Sequence, residues 1–216
     1  MPADQAAGLR RRSRPAGQTA RRPLQFIHCL SASAGLGTRL AHALHQIGRT
    51  LLLIDTQDRL FAASSPRSLF GWKQQLERGQ LHTLPQAYGE GWHAPGVRAD
   101  EPALTHIASD YDHVIFDTAW GRSDLALLPG AMHRLVMDIR HPDESAREAY
   151  RVLKTLACSG VAFDASLLGD RRACDHVRAA SCHFLERSVT HAMVNLAGED
   201  DAFAALAVRM ADEERA

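Results

Sequence analysis

The chain has no apolar run of roughly eighteen residues, so no segment reads as a membrane-spanning helix. Its arginine-rich start is followed by no adequate apolar stretch, and the expectation is a chain without a secretory leader. Cysteines are few: Cys29, Cys158, Cys174 and Cys182 lack framework spacing, which fits a reducing cytoplasm. Formal net charge is zero, so no global field draws the chain to nucleic acid. The most consequential absence is local, because the glycine-bearing stretch SASAGLGTRL, 31–40, contains no lysine.

The charge that is present is unevenly placed. Residues 1–54 carry eight arginines and one acid, Asp4, whereas residues 55–216 carry 17 Lys or Arg against 24 Asp or Glu. The excess of positive charge collects in RRRSRPAGQTARRP, 10–23, whose Pro and Gly read as a flexible tether. Such a tether either steers the segment before it toward an acidic partner or serves as a solubilising linker.

From residue 24 onward the pattern alternates. LQFIHCL, 24–30, reads as a buried strand, Ser31 to Thr38 as a turn, Arg39 to Gly48 as a helix and TLLLID, 50–55, as a second buried strand. RLVMDI, 134–139, is a further strand and 142–157 a helix with Asp143 and Glu144 in its first turn. The alternation continues through a strand at 161–168, a helix at 171–187, a short strand at 191–195 and a final helix at 201–211. This predicts a single α/β domain over 24–216 with a mostly parallel, doubly wound sheet, preceded by a tail over 1–23. The stretch 58–100, with its tryptophans, prolines and glycines, gives no clear assignment.

The first strand, turn, helix and second strand form an anion-loop unit. In a working phosphate loop, glycines bring backbone amides close to the phosphates, a lysine neutralises charge and the next hydroxyl ligates magnesium. Here Gly35 and Gly37 are kept, but Thr38 stands at the lysine position and Arg39 at the hydroxyl position.

The histidines and cysteines suggest no metal. Cys174, His176, Cys182 and His183 share one predicted helix whose phase scatters them, and His28, His42, His45, His106 and His113 have no ligand spacing.

The segments resemble the MinD/ParA class of deviant P-loop ATPases, whose loop reads KGGxGKT. Against that pattern Ser33 replaces the first lysine, Ala34 a glycine, Thr38 the second lysine and Arg39 the threonine. LLLIDTQ, 51–57, is similar to LLIDAD, which makes Asp55 part of the remnant site and puts Gln57 in place of the water-orienting acid. SLFGWKQQLERGQ, 68–80, resembles TLADVLEGR of the FlhG branch. YDHVIFDTAWG, 111–121, resembles YDYIIIDTPAG with Asp117 as the Walker B acid, and HPDESAREAYRVLKTL, 141–156, resembles EPTSITDAYALIKAL. The resemblance implies a P-loop NTPase-like fold. It also implies that the chemistry is gone, since losing even one preorganised charge of this kind costs roughly two orders of magnitude in rate. The expectation is a pseudo-ATPase with no ATP or magnesium cofactor, its loop either a structural turn or a residual anion site.

DQAAGLR, residues 4–10, then resembles the DQAxxLR element that FlhG (FleN) proteins carry ahead of this domain. In that family it is a short helix that docks on FlhF, a signal-recognition-type GTPase, and stimulates GTP hydrolysis. Carried over, Gln5 acts catalytically in trans, Asp4 starts the helix, Ala6 and Leu9 give apolar contact and Arg10 anchors the partner. The implied function is regulation of flagellar placement or number, in the cytoplasm, with recruitment to the pole by the partner. Three alternatives stay open: a weak ATP-dependent ATPase, an adaptor for a flagellar transcription activator or switch protein, and a nucleic-acid partitioning protein. The acidic body argues against the last.

Two features admit two readings each. Trp120 either occupies the space of a γ-phosphate or packs at a strand-to-helix corner. The C-terminal segment FAALAVRMADEERA carries Phe203, Leu206, Ala207 and Met210 on one face, and its terminal acids favour packing on the sheet over direct membrane contact.

Overall fold

The computed structural model places seven parallel strands, among its described residues, in one sheet of order β3-β2-β4-β1-β5-β6-β7. It describes residues 25–56, 81–84, 108–121, 125, 127, 131–141, 143–159, 161–185, 189, 193–196 and 201–213. The strands are β1 (Gln25–Ser31), β2 (Leu51–Asp55), β3 (Leu81–Leu84), β4 (His113–Ala119), β5 (Met132–Ile139), β6 (Phe163–Gly169) and β7 (Met193–Asn195). The helices among the described residues are α1 (Leu36–Gln46), α2 (Glu144–Ser159), α3 (Arg171–Phe184) and α4 (Ala202–Glu213). Each adjacent strand pair is parallel, as the alternating sequence predicts.

Period-two alternation sends side chains to two separate apolar layers. Ile27, Cys29, Leu51, Leu53, Ile115 and Val136 meet Leu36, Leu40 and Leu44 of α1 and Leu206 and Met210 of α4. Their sequence neighbours Leu30, Leu135 and Met137 face the other way, against α2 and α3. Both faces are therefore covered, which explains why the strands read as nearly continuous apolar runs.

Most predicted boundaries lie within a few residues of the observed ones, and two findings differ. The turn expected over Ser31 to Thr38 is shorter, because α1 already begins at Leu36 and takes Gly37 and Thr38 into its first turn. Gly35, left-handed at φ 101°, sets that earlier start. The other difference is β3, an edge strand of four residues inside the stretch that gave no assignment; it pairs with β2 from Leu51↔Leu81 to Ile54↔Leu84. At the far end of α1, Gly48 at φ 84° stops the helix, with Arg49 N–H donating to the Leu44 carbonyl at 3.1 Å.

The final helix lies on the sheet, as the sequence favours. Leu206, Ala207, Met210 and Ala211 are buried, and Phe203 packs at the edge of the same layer. Its last turn is fixed by Glu213, which accepts from the nearly buried Arg134 of β5 and from Arg209. Arg134 also reaches Asp164 of β6 at 3.3 Å. Burial alone pushes the Glu213 carboxyl up, but the Arg134 and Arg209 guanidiniums outweigh it and hold the group below the usual carboxylate range.

Candidate functional site

β1 lies at the middle of the sheet, and the chain runs from it first toward β2 and β3, then toward β5, β6 and β7. That reversal makes a topological switch point at the carboxyl end of β1, where open α/β sheets hold their ligands. The loop 32–35 sits there, between the ends of β4 and β5.

The loop residues and Asp117 are brought together at the carboxyl end of β1. Ser33 is exposed, and its amide donates to Ser31 Oγ at 3.2 Å. Gly35 is the N-cap of α1 and makes no side-chain cap hydrogen bond, and the first turn of α1 contains no acid. Gly37 is buried as the second residue of α1, and its N–H donates to Asp117 Oδ1 at 3.1 Å. Thr38 and Arg39 are exposed on the helix. Asp117 is fully buried at the end of β4, in register with Asp55 of β2.

Arg39 does not turn back over the loop. Its guanidinium carbon lies 4.2 Å from the centroid of the Phe203 ring, a cation–π contact with α4. A helical side chain covers the turn N-terminal to itself only along its own face, and this face points to α4.

Trp120, immediately after β4, packs against the apolar layer that contains Leu30, Leu135 and Met137. This is the corner-packing reading. The γ-phosphate plug finds no support in that placement.

Asp138 was not singled out from the sequence, and it belongs to the site. It is buried at the end of β5, where its Oδ2 accepts from Ser31 Oγ at 3.1 Å and from Arg140 Nε at 2.7 Å. A carboxylate inside the otherwise apolar run RLVMDI was the available signal. Thr56 was also missed; its hydroxyl donates to the Asp117 carbonyl at 2.7 Å and joins the end of β2 to β4.

Two buried carboxylates thus stand beside the loop, with Arg140 paired to one of them and Gly37 to the other. Neighbouring Cys29 feels the same environment, since burial first and the Asp117 charge second push its thiol well above the ordinary value. The loop itself, 32–35, carries no charged side chain.

The cysteines and histidines of α3 are divided as helical phase requires. Cys174 is buried with its thiol directed to the Leu168 carbonyl at 3.4 Å, whereas His176, Cys182 and His183 are exposed. Among the described residues, no three His, Cys, Asp or Glu form a group suited to a metal ion, and no helix is long and apolar enough to cross a membrane. Asp4, Gln5, Ala6, Leu9 and Arg10 lie outside the described residues, as do Gln57 and residues 68–80.

No family model and no curated protein matches the chain. Among solved structures it is similar to the MinD cell division protein of Aquifex aeolicus, with a TM-score of 0.50 and 16% identity. The match covers 83% of this chain and 86% of that one. At this identity the likeness carries the fold alone, a mostly parallel α/β sheet covered by helices.

Proposed function

We propose that the chain is an FlhG-like regulator that presents its N-terminal helix to an FlhF-type GTPase and stimulates GTP hydrolysis, its own ATPase having been lost. The observation that carries this reading is DQAAGLR at 4–10, set ahead of a MinD-like fold whose loop has no lysine. Gln5 orders the partner's catalytic water, Asp4 begins the helix, Ala6 and Leu9 contact the partner and Arg10 anchors to it.

The geometry of the body supports separating the two roles. The chain enters β1 at Gln25 and reaches the loop only after Ser31. At about 3.3 Å per residue the strand puts some 20 Å between the point where the tail joins the body and the remnant site. The arginines of 10–23 steer an acidic partner toward the helix and lose effect as salt rises.

The body acts as a docking platform in the cytoplasm and reaches the pole through its partner. Its C-terminal helix is engaged with α1 and Arg134, and membrane contact is indirect. Mixing the full chain with an FlhF-type GTPase and GTP, with Gln5→Ala beside it, tests this reading. Accelerated phosphate release that Gln5→Ala abolishes supports it; binding without acceleration identifies an adaptor instead.

A further inference from the structure

We infer that Asp117 is the permanent anion of the loop, an internal carboxylate that takes the place of a ligand at the start of α1 and holds the body in one ligand-independent conformation. The inference rests on the loop being unable to charge-match a phosphate, but it concerns the body alone.

Helix α1 begins with its amides directed toward the switch point, and a helix start of this kind favours a negative charge. No residue of its own supplies one, since Gly35 makes no side-chain cap and the first turn is free of acids. The charge comes from β4, eighty residues away in sequence, where the Asp117 carboxylate accepts from Gly37 N–H with both groups buried. Gly37 makes that approach close: a Cβ there would lie 3.1 Å from Asp117 Cβ, 3.2 Å from its Oδ1 and 3.2 Å from Leu53 Cδ1, so the carboxylate or Leu53 would have to give by a few tenths of an ångström.

The same residue is held from its other side. The Asp117 carbonyl accepts both the Thr56 hydroxyl, at 2.7 Å, and the Thr56 amide, at 3.3 Å. Asp117 thus ties the first turn of α1 to the end of β2. A device of this kind removes the need for a ligand and with it the dependence of the body on one.

The test compares the full chain with Asp117→Asn, which keeps the size and one acceptor oxygen while removing the charge, and with Asp117→Ala. The probe is inorganic pyrophosphate, and the readouts are the melting midpoint and the exchange rate of the Gly37 amide. The wild type is expected to hold its midpoint within about 1 °C in millimolar pyrophosphate. Asp117→Asn is expected to melt lower in plain buffer, to exchange Gly37 N–H at least about tenfold faster, and to recover about 3 °C or more with pyrophosphate. Asp117→Ala repeats this with a larger loss, and Asp117→Asn decides if the alanine variant does not fold. Equal stabilisation of wild type and Asp117→Asn by pyrophosphate overturns the inference. So does an Asp117→Asn protein with unchanged midpoint and Gly37 protection. The Gln5→Ala experiment reads the tail alone, so either inference can fail without the other.

Discussion

Arg39 and Phe203 join the first helix to the last, the guanidinium carbon standing 4.2 Å from the ring centroid. Arg39, exposed on α1, thus packs against α4. Arg39→Ala should therefore cost about 0.5–1 kcal/mol of stability in a urea titration. It should leave the response to ATP as small as in the wild type. An ATP-dependent stabilisation present in wild type and lost in Arg39→Ala would mean that the side chain serves a phosphate after all.

At the other end of α4 the clamp is ionic. Glu213 is held below the usual carboxylate range in the fold, so its contribution is present above the unfolded value and is lost as pH falls through the folded one. Its side chain is 39% exposed, and solvent screening keeps the effect modest. Glu213→Gln should cost about 1 kcal/mol near pH 7, and the difference should shrink to nothing below the carboxylate range. A difference that persists in acid would mark a packing effect of the side chain instead.

His113 sets the acid response higher up the scale. Burial, with Arg49 and Arg134 nearby and Asp112 only partly opposing them, pushes its imidazole down from 6.5 to about 4. Between those values the unfolded chain takes up a proton that the folded chain refuses, so stability falls as pH drops through this window. The loss amounts to something on the order of 3 kcal/mol. In His113→Leu the urea midpoint should vary less with pH over that range, and an unaltered slope would assign the acid sensitivity to other groups.

The alternation of strands and helices was legible in the sequence because each strand buries both faces and each helix buries one stripe. Leu36, Leu40 and Leu44 of α1 illustrate the stripe. What the sequence could not give was fixed by distant partners. Gly35 sets the start of α1 locally, but the partner that Gly37 finds, Asp117 of β4, is encoded by no local pattern. Strand β3 is four residues long at the sheet edge, too short for periodicity to separate it from a loop. The loop residues Ser33, Gly35, Gly37, Thr38 and Arg39 were legible as positions, while their partners, Ser31 for Ser33 and Phe203 for Arg39, were not. Asp138 shows the same division: its identity was visible within RLVMDI, but its bonds to Ser31 and Arg140 come from folding.

Gly169 offers a test of how tightly the switch-point edge is built. It ends β6 at φ 107°, and a Cβ there would lie 2.5 Å from the Ile139 carbonyl oxygen. The following residue uses this turn twice: Asp170 N–H donates to the Ile139 carbonyl at 2.8 Å, and its carboxylate caps α3 at Ala173 N–H, also at 2.8 Å. Gly169→Ala should destabilise the protein by more than about 2 kcal/mol in urea. A loss within a few tenths would mean that the two strand ends are looser than this geometry describes.

In the proposed function, biochemical output arises from the tail while the body stays indifferent to nucleotide. Phosphate release from GTP by an FlhF-type GTPase, measured with the full chain, with Gln5→Ala, and with and without ATP, tests this most directly. The predicted result is acceleration by the wild type, none by Gln5→Ala, and the same rates whether or not ATP is present. An unaccelerated rate with the wild-type chain, or acceleration that requires ATP, would contradict it.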